Sequence, residues 1–359
     1  MVDGRVKEVA KVLVDYSTET KSGDRVLIRA DLLAKDLALE VYRQALLKGA
    51  DPWIRTDLPG VRYVFHKYAS ENQLKSLPEH DFEEIKRTDV YIFLGAPFNV
   101  KDLTGIDPAR ISLRAKALKP ITDWRVEKTR WVAFYYPTEA MAQEASMSLQ
   151  EFEDFVYGAS LVDWKQLSKG LQVLKRRVDV VDKVEIKSPD TDLEFSVKER
   201  NSVAAVGDKN VPDGELFTSV VEDSVNGSIR FDVPAVYNAY GNVAEDITLT
   251  FKKGKVVDAK AIKNHNFMEK MLATDEGAKR IGEFGIGFNY GITKPVMNTL
   301  FDEKIGGSIH LALGRGYKET LSQNESAIHW DLIKDLRKDG EVYFDGKLAM
   351  KHGRWLILK

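Results

Sequence analysis

The sequence predicts a mixed α/β protein in two parts: an N-terminal doubly wound α/β domain over residues 1–180 and a C-terminal α+β domain over residues 181–359. Three observations predict it. Up to about residue 180, short apolar runs alternate with longer segments of helical period. After Arg176-Arg177-Val178-Asp179, short strands follow one another through tight turns. Near the C-terminus, two strands repeat a pattern in which a histidine stands on an otherwise sparse face. A chain of 359 residues has ample length for a core in each part.

In the first half, residues 3–20 read as an amphipathic helix with Val6, Val9, Leu13 and Tyr16 at helical spacing. A Ser22-Gly23-Asp24 turn leads into a short strand at Val26-Leu27-Ile28. The next helix carries Leu39, Tyr42 and Leu46 on one face and Gly49 near its C-terminal cap, and a strand follows around Trp53-Ile54. Helices are expected over 62–76 and 82–87. Val90 to Gly95 contains no charge and reads as a buried strand of a parallel sheet. Asp107-Pro108 pairs an N-cap with proline at the first helical position and opens a helix over 108–118. Trp131 to Pro137 is a further strand, and 138–175 are mostly helical. No G-x-G-x-x-G turn follows the first strand and no Walker-type loop is present, so no nucleotide site is expected here.

In the second half, Lys183 to Arg200 reads as a hairpin turning at Ser188-Pro189-Asp190-Thr191. Strands are expected around Leu216-Phe217-Thr218, Ser228 to Asp232 and Ile247 to Phe251. The last turns at Lys252-Lys253-Gly254-Lys255 into Val256 to Ala259. Helices are expected over 266–273 and 275–282, and Glu341 to Phe344 returns through an Asp345-Gly346 turn.

Hydrophobic residues make up 43% and charged residues 30%, the balance of a soluble globular protein. A formal net charge of −2 argues against nucleic acid or an anionic membrane as the main partner. No apolar run is long enough to span a bilayer, and the charges scattered through Met1 to Tyr16 make that segment a helix rather than a signal peptide. Cysteine is absent, which excludes disulfides and thiolate ligands; a metal site must use His, Asp, Glu or Tyr. A cytoplasmic location is expected.

The chemistry concentrates near the C-terminus. In Ser308 to Gly314, read as a strand, Ile309, Leu311 and Leu313 share one face. Ser308, His310, Ala312 and Gly314 share the other, where only the histidine is large. The segment Ala327 to Leu332 repeats the arrangement, with Ile328, Trp330 and Leu332 on one side and Ala327, His329 and Asp331 on the other. Imidazole plus carboxylate on adjacent strands is the donor chemistry that a zinc-like or cobalt-like ion requires. Upstream, a Gly turn delivers Glu215 at the start of a strand, and Glu283 sits between glycines at the end of an expected helix.

The stretch FDEKIGGSIHLALGRGY, with NESAIHWD after it, resembles the aminopeptidase T family of dinuclear metallo-aminopeptidases, which includes leucyl aminopeptidases of thermophiles. NVPDGELFT (Asn210 to Thr218) and TDEGAKRIGE (Thr274 to Glu283) extend the resemblance upstream, and weaker matches reach the N-terminal half. The resemblance makes the C-terminal half the metal-binding catalytic domain. It implies Glu215, Glu283, His310, His329 and Asp331 as ligands of two divalent ions (zinc, cobalt, manganese or magnesium). Glu303 matches the position of a general base, and Tyr317 a tyrosine that coordinates a metal or hydrogen-bonds the oxyanion of a tetrahedral intermediate. Three carboxylates among five ligands suit ions about 3.5–4 Å apart, because at least one carboxylate must bridge. The two neutral histidines favour zinc, cobalt or manganese over calcium. The implied function is hydrolysis of N-terminal residues from peptides by a homodimer, through water activated by the metal pair. The donors alone fit two other functions: a dinuclear hydrolase of another class, such as a phosphoesterase, or a non-catalytic ligand-binding protein with structural metal.

Overall fold

The computed structural model describes residues 3–237 and 242–358. These fall into two compact units, one built from residues up to 161 with 207–212, the other from 162–206, 213–237 and the chain from 242 onward. Among the described residues no helix is long and apolar enough to cross a membrane.

In the first unit five parallel strands lie in the order Asp51–Asp57, Arg25–Asp31, Val90–Gly95, Arg130–Tyr135 and Asn210–Val211. The uncharged Val90–Gly95 strand is central, as its composition requires: a strand flanked on both sides and covered on both faces has nowhere to put a charge. Register neighbours Ile28, Ile92 and Val132 are fully buried across three strands. The first helix buries Val6, Val9 and Leu13 as expected, but it changes from α over Gly4–Lys11 to a π-helical turn over Val12–Ser17.

Three helical expectations need correction. The Lys35–Leu47 helix buries Leu37, Ala38, Val41 and Ala45, while Leu39 and Leu46 are 55% and 50% exposed. Both stripes have helical period, so periodicity cannot choose between them; the buried stripe holds the smaller residues, which allow close approach. The expected 62–76 helix is two, Val61–Tyr68 and Glu71–Lys75, because Ser70 and Gln73 form a reciprocal capping box that starts the second. The helix from Pro108 runs to Lys128, through Pro120 rather than stopping before it.

The second unit contains two antiparallel sheets. In the larger, the order is Ala235–Tyr237, Asn242–Lys252, Asn226–Phe231, Thr191–Ser196, Lys183–Ser188, Glu341–Phe344, Lys347–Lys351 and Arg354–Trp355, with Lys255–Lys263 also paired to Asn242–Lys252. In the smaller, the order is His329–Asp335, Ser308–Gly314, Ile281–Gly287, Glu215–Thr218 and Ser202–Ala205. One face of the smaller sheet is apolar: Leu216, Ile286 and Ile309 form one cross-strand row, and Phe284, Leu311 and Leu332 another. Phe284 packs edge-on against Phe195 of the larger sheet at 5.0 Å between ring centroids. Trp330, on the same face, is fully buried against Phe267 at 5.5 Å. The alternation read from the two histidine strands therefore holds in three dimensions.

The expected helix over 275–282 is not formed. A single 3-10 turn at Gly277–Lys279 leads directly into the Ile281–Gly287 strand, so Glu283 lies inside a strand rather than at a helix end. Asp275 explains the difference. Its carboxylate accepts from Ala278 N (2.8 Å), Ala327 N (2.7 Å) and Ser326 Oγ (2.7 Å), tying the turn to the segment before His329 instead of capping a longer helix.

Candidate metal centre

The register of the smaller sheet puts all five expected ligands on the face opposite Phe284. Glu215 lies across from Gly287, His310 from Gly285, Glu283 from Ala312, Ala312 from Asp331, and Gly314 from His329. Gly285, Gly287, Ala312 and Gly314 stand between the donors and open this part of the face, which Phe217 and Ile333 share. At Gly285 the need is steric: a Cβ there would stand 2.0 Å from Cε1 and Nε2 of His310, so the imidazole occupies the space of the missing side chain. A β-bulge between Ile281 and Glu283 resets the register just before the acid. Gly214, at φ +119°, forms the turn that delivers Glu215; a Cβ there would meet Asn289 at 2.9 Å.

Both imidazoles are anchored in the same way. His310 Nδ1 lies 3.1 Å from the Glu303 carbonyl oxygen, and His329 Nδ1 lies 2.6 Å from that of Arg315. Donation from Nδ1–H leaves Nε2 as the atom that can take a metal once it has given up its own proton. His310 Nε2 is 3.0 Å from Glu283 Oε1 and 3.6 Å from Glu215 Oε2, while His329 Nε2 is 3.3 Å from Asp331 Oδ1. The donors form two overlapping groups, Glu215–Glu303–His310 and Glu283–His310–Asp331, each with ligand atoms within 4.8 Å of one another. His329 adjoins the second group through Asp331.

Glu215 Oε2, Glu283 Oε2 and Asp331 Oδ1 are buried without a hydrogen-bond partner, the contact of Asp331 with His329 lacking hydrogen-bond alignment. Unpaired buried carboxylate oxygens are costly, and a cation at this face would satisfy all three. The donor set fits divalent metal.

Burial raises the carboxyls of Glu215, Glu283 and Glu303 above the ordinary range; Lys304 opposes this for Glu215 and Glu303, and the His310 hydrogen bond opposes it for Glu283. Burial also pushes His310 down, but the Glu283 hydrogen bond and the charges of Glu215 and Asp331 prevail, lifting it to about 9. His329 reaches about 10 by the same opposition, with Asp331 the main partner. Asp331, which burial alone would raise, is held at about 2 by His329 and His310.

A model of the thermophilic metalloprotease (M29) family matches residues 2–355. The chain belongs to that family. Aminopeptidase 2 of Geobacillus stearothermophilus is 27% identical over 96% of this chain and 96% of its own length. Aminopeptidase T of Thermus thermophilus is 24% identical over 98% of both. The solved structure of wild-type AmpT from Thermus thermophilus has a TM-score of 0.86 at 22% identity, covering 98% of this chain and 99% of that one, and shares the fold.

For a member of a metalloprotease family, the raised histidines have a measurable consequence. Metal-free, both rings hold a proton below about pH 9, and a ligating Nε2 must give it up. Metal binding at pH 7 is expected to release at least one proton for each imidazole that ligates. Affinity should rise with pH, levelling off above about 10, the higher of the two folded values. Calorimetry in buffers of different ionisation enthalpy measures the release; a value near zero contradicts the arrangement.

Three residues near the donors escaped the sequence reading. Lys304, 1% exposed, places Nζ 3.2 Å from Glu215 Oε1 and also donates to Glu303 Oε1. Asp302 is buried and accepts from Val296 N (2.7 Å) and Asn298 N (3.1 Å), bracing the short Thr299–Asp302 helix that Glu303 caps. Gly285 is the third. Only the closely spaced glycines of I-G-E-F-G-I-G signalled a crowded strand. Tyr317, expected near the metals, packs at a tilt against His329 and Phe217, 5.1 Å and 5.6 Å between ring centroids. Its phenol is raised by burial and then by the charges of Glu283, Asp331, Glu303 and Glu215, although the residue is 40% exposed.

Proposed function

We propose that this member of the family is a metal-dependent aminopeptidase that works with two divalent ions, held by Glu215, Glu283, His310, His329 and Asp331. The observation that supports it most is the group of unpaired carboxylate oxygens facing two carbonyl-anchored imidazoles on one cleared sheet face. Two neutral imidazoles among the donors favour zinc, cobalt or manganese, with magnesium the harder alternative. When bound, the ions would supply Lewis acidity to the scissile carbonyl and to the attacking water.

The chain's own groups do the rest. Glu303, at the C-terminal cap of the Thr299–Asp302 helix, takes a proton from the attacking water and returns it to the leaving amine. Its raised carboxyl suits both halves of that transfer. Tyr317 stays protonated beside the acids and donates a hydrogen bond to the developing oxyanion. The acidic face receives the free α-amino group of a peptide. A cytoplasmic homodimer completes the proposal, on the strength of the family resemblance and the cysteine-free composition.

The test is a panel of aminoacyl-anilides and peptides assayed with and without each divalent metal. Chelation is expected to abolish hydrolysis and metal to restore it, while N-acetylated peptides resist cleavage. Efficient cutting of an acetylated peptide at an internal bond would make the protein an endopeptidase.

A further inference from the structure

The two donor groups share His310 but differ in charge, and the difference is Lys304. Burying a lysine is tolerated only where it is paired, and the acids that pair it are Glu215 and Glu303. The ammonium engages Glu215 through Oε1, leaving Oε2 turned toward His310 without a hydrogen bond. One ammonium between the two carboxylates offsets one of their two charges, and buried Asp213 also acts on it. Glu283 and Asp331 keep two once the imidazoles are neutral, since among the described residues they pair only with His310 and His329. Inside a protein, one unit charge about 4 Å away alters ion binding by well over tenfold.

We propose that Lys304 makes the two metal positions unequal: an ion on the Glu283–Asp331 side binds first and tightly, and an ion on the Glu215–Glu303 side binds second and weakly enough to exchange. Lys304 is a positioning residue here, holding the outer oxygens of two acids while lowering the charge of their side. Turnover that needs both ions then follows free metal concentration over the range of the weaker step. The inference rests on the two-ion reading above.

Calorimetric titration of the metal-free full-length chain with cobalt tests it. Two steps are expected, with Kd values at least about tenfold apart. Glu215→Gln is expected to remove the weaker step and leave the tighter, and Glu283→Gln to remove the tighter. Lys304→Met is expected to bring the two Kd values together, with Lys304→Gln as a second variant and circular dichroism to establish that each is folded. General destabilisation does not change the ratio of the two constants in that way. Equal steps in the wild type, loss of the tighter step in Glu215→Gln, or an unchanged ratio in a folded Lys304 variant overturns the proposal. If both Lys304 variants fail to fold, the wild type and the two glutamate variants still decide whether the positions are unequal and which is the tighter, and the opposite order overturns the proposal. A chain that binds no cobalt at all refutes the metalloenzyme reading instead.

Discussion

Glu303→Gln, assayed at saturating metal, is expected to lower kcat by roughly 10²–10⁴-fold, the contribution of a positioned general base, with the ion beside Glu283 and Asp331 retained and KM nearly unchanged. Glutamine keeps the shape of the side chain and an oxygen for Lys304, and the backbone carbonyl that anchors His310 is untouched. Proton acceptance is lost, along with one negative charge on the Glu215 side. Glu283→Gln, by contrast, weakens a ligand and should deplete metal along with rate. The comparison matters because Glu303 stands within ligand range of Glu215 and His310. If Glu303→Gln loses metal as Glu283→Gln does, Glu303 is a ligand and the base lies elsewhere. If kcat stays at the wild-type level, Glu303 has no part in the chemistry.

Gly285→Ala is expected to displace the His310 ring, depleting bound metal and lowering kcat/KM by at least about 10²-fold, the cost of an ångström-scale misplacement at a reacting centre. The added Cβ would sit 2.0 Å from two ring atoms, far inside contact distance, and the ring is held from its other edge by the Glu303 carbonyl. Backbone strain is not the cause, since Gly285 is not among the residues with positive φ. Gly158→Ala is the control, because a Cβ there meets nothing within 4 Å. Metal analysis and kinetics of the two variants side by side check the expectation; an active, fully loaded Gly285→Ala protein contradicts it.

How much of this was legible depended on whether a signal was local. The parity of His310 against Leu311, and of His329 and Asp331 against Trp330, is set by strand geometry alone, and the sheet preserves it. The parallel core strand Val90–Gly95 announced itself by lacking charge. Glu215 and Glu283 had only the family resemblance to distinguish them from solvated acids, and the strand around Glu283 was hidden because Thr274 to Glu283 is charged and helix-like in composition. Its true conformation is imposed by Asp275 bonding to a segment some fifty residues later, a contact no window of sequence contains. Lys304 looked like one charge in a charged run. Its burial follows from the turn at Gly306-Gly307 and the strands around it, and only in three dimensions does it stand between Glu215 and Glu303. The face of the Lys35–Leu47 helix was ambiguous for a different reason, since both stripes are apolar and the choice is made by the sheet it covers.

Anomalous scattering from crystals of the zinc-loaded protein tests the two-ion centre most directly. Two peaks about 3.5–4 Å apart are expected on the cleared sheet face, one beside Glu283 and Asp331 and the other beside Glu215. A single peak, or peaks away from His310, would contradict it.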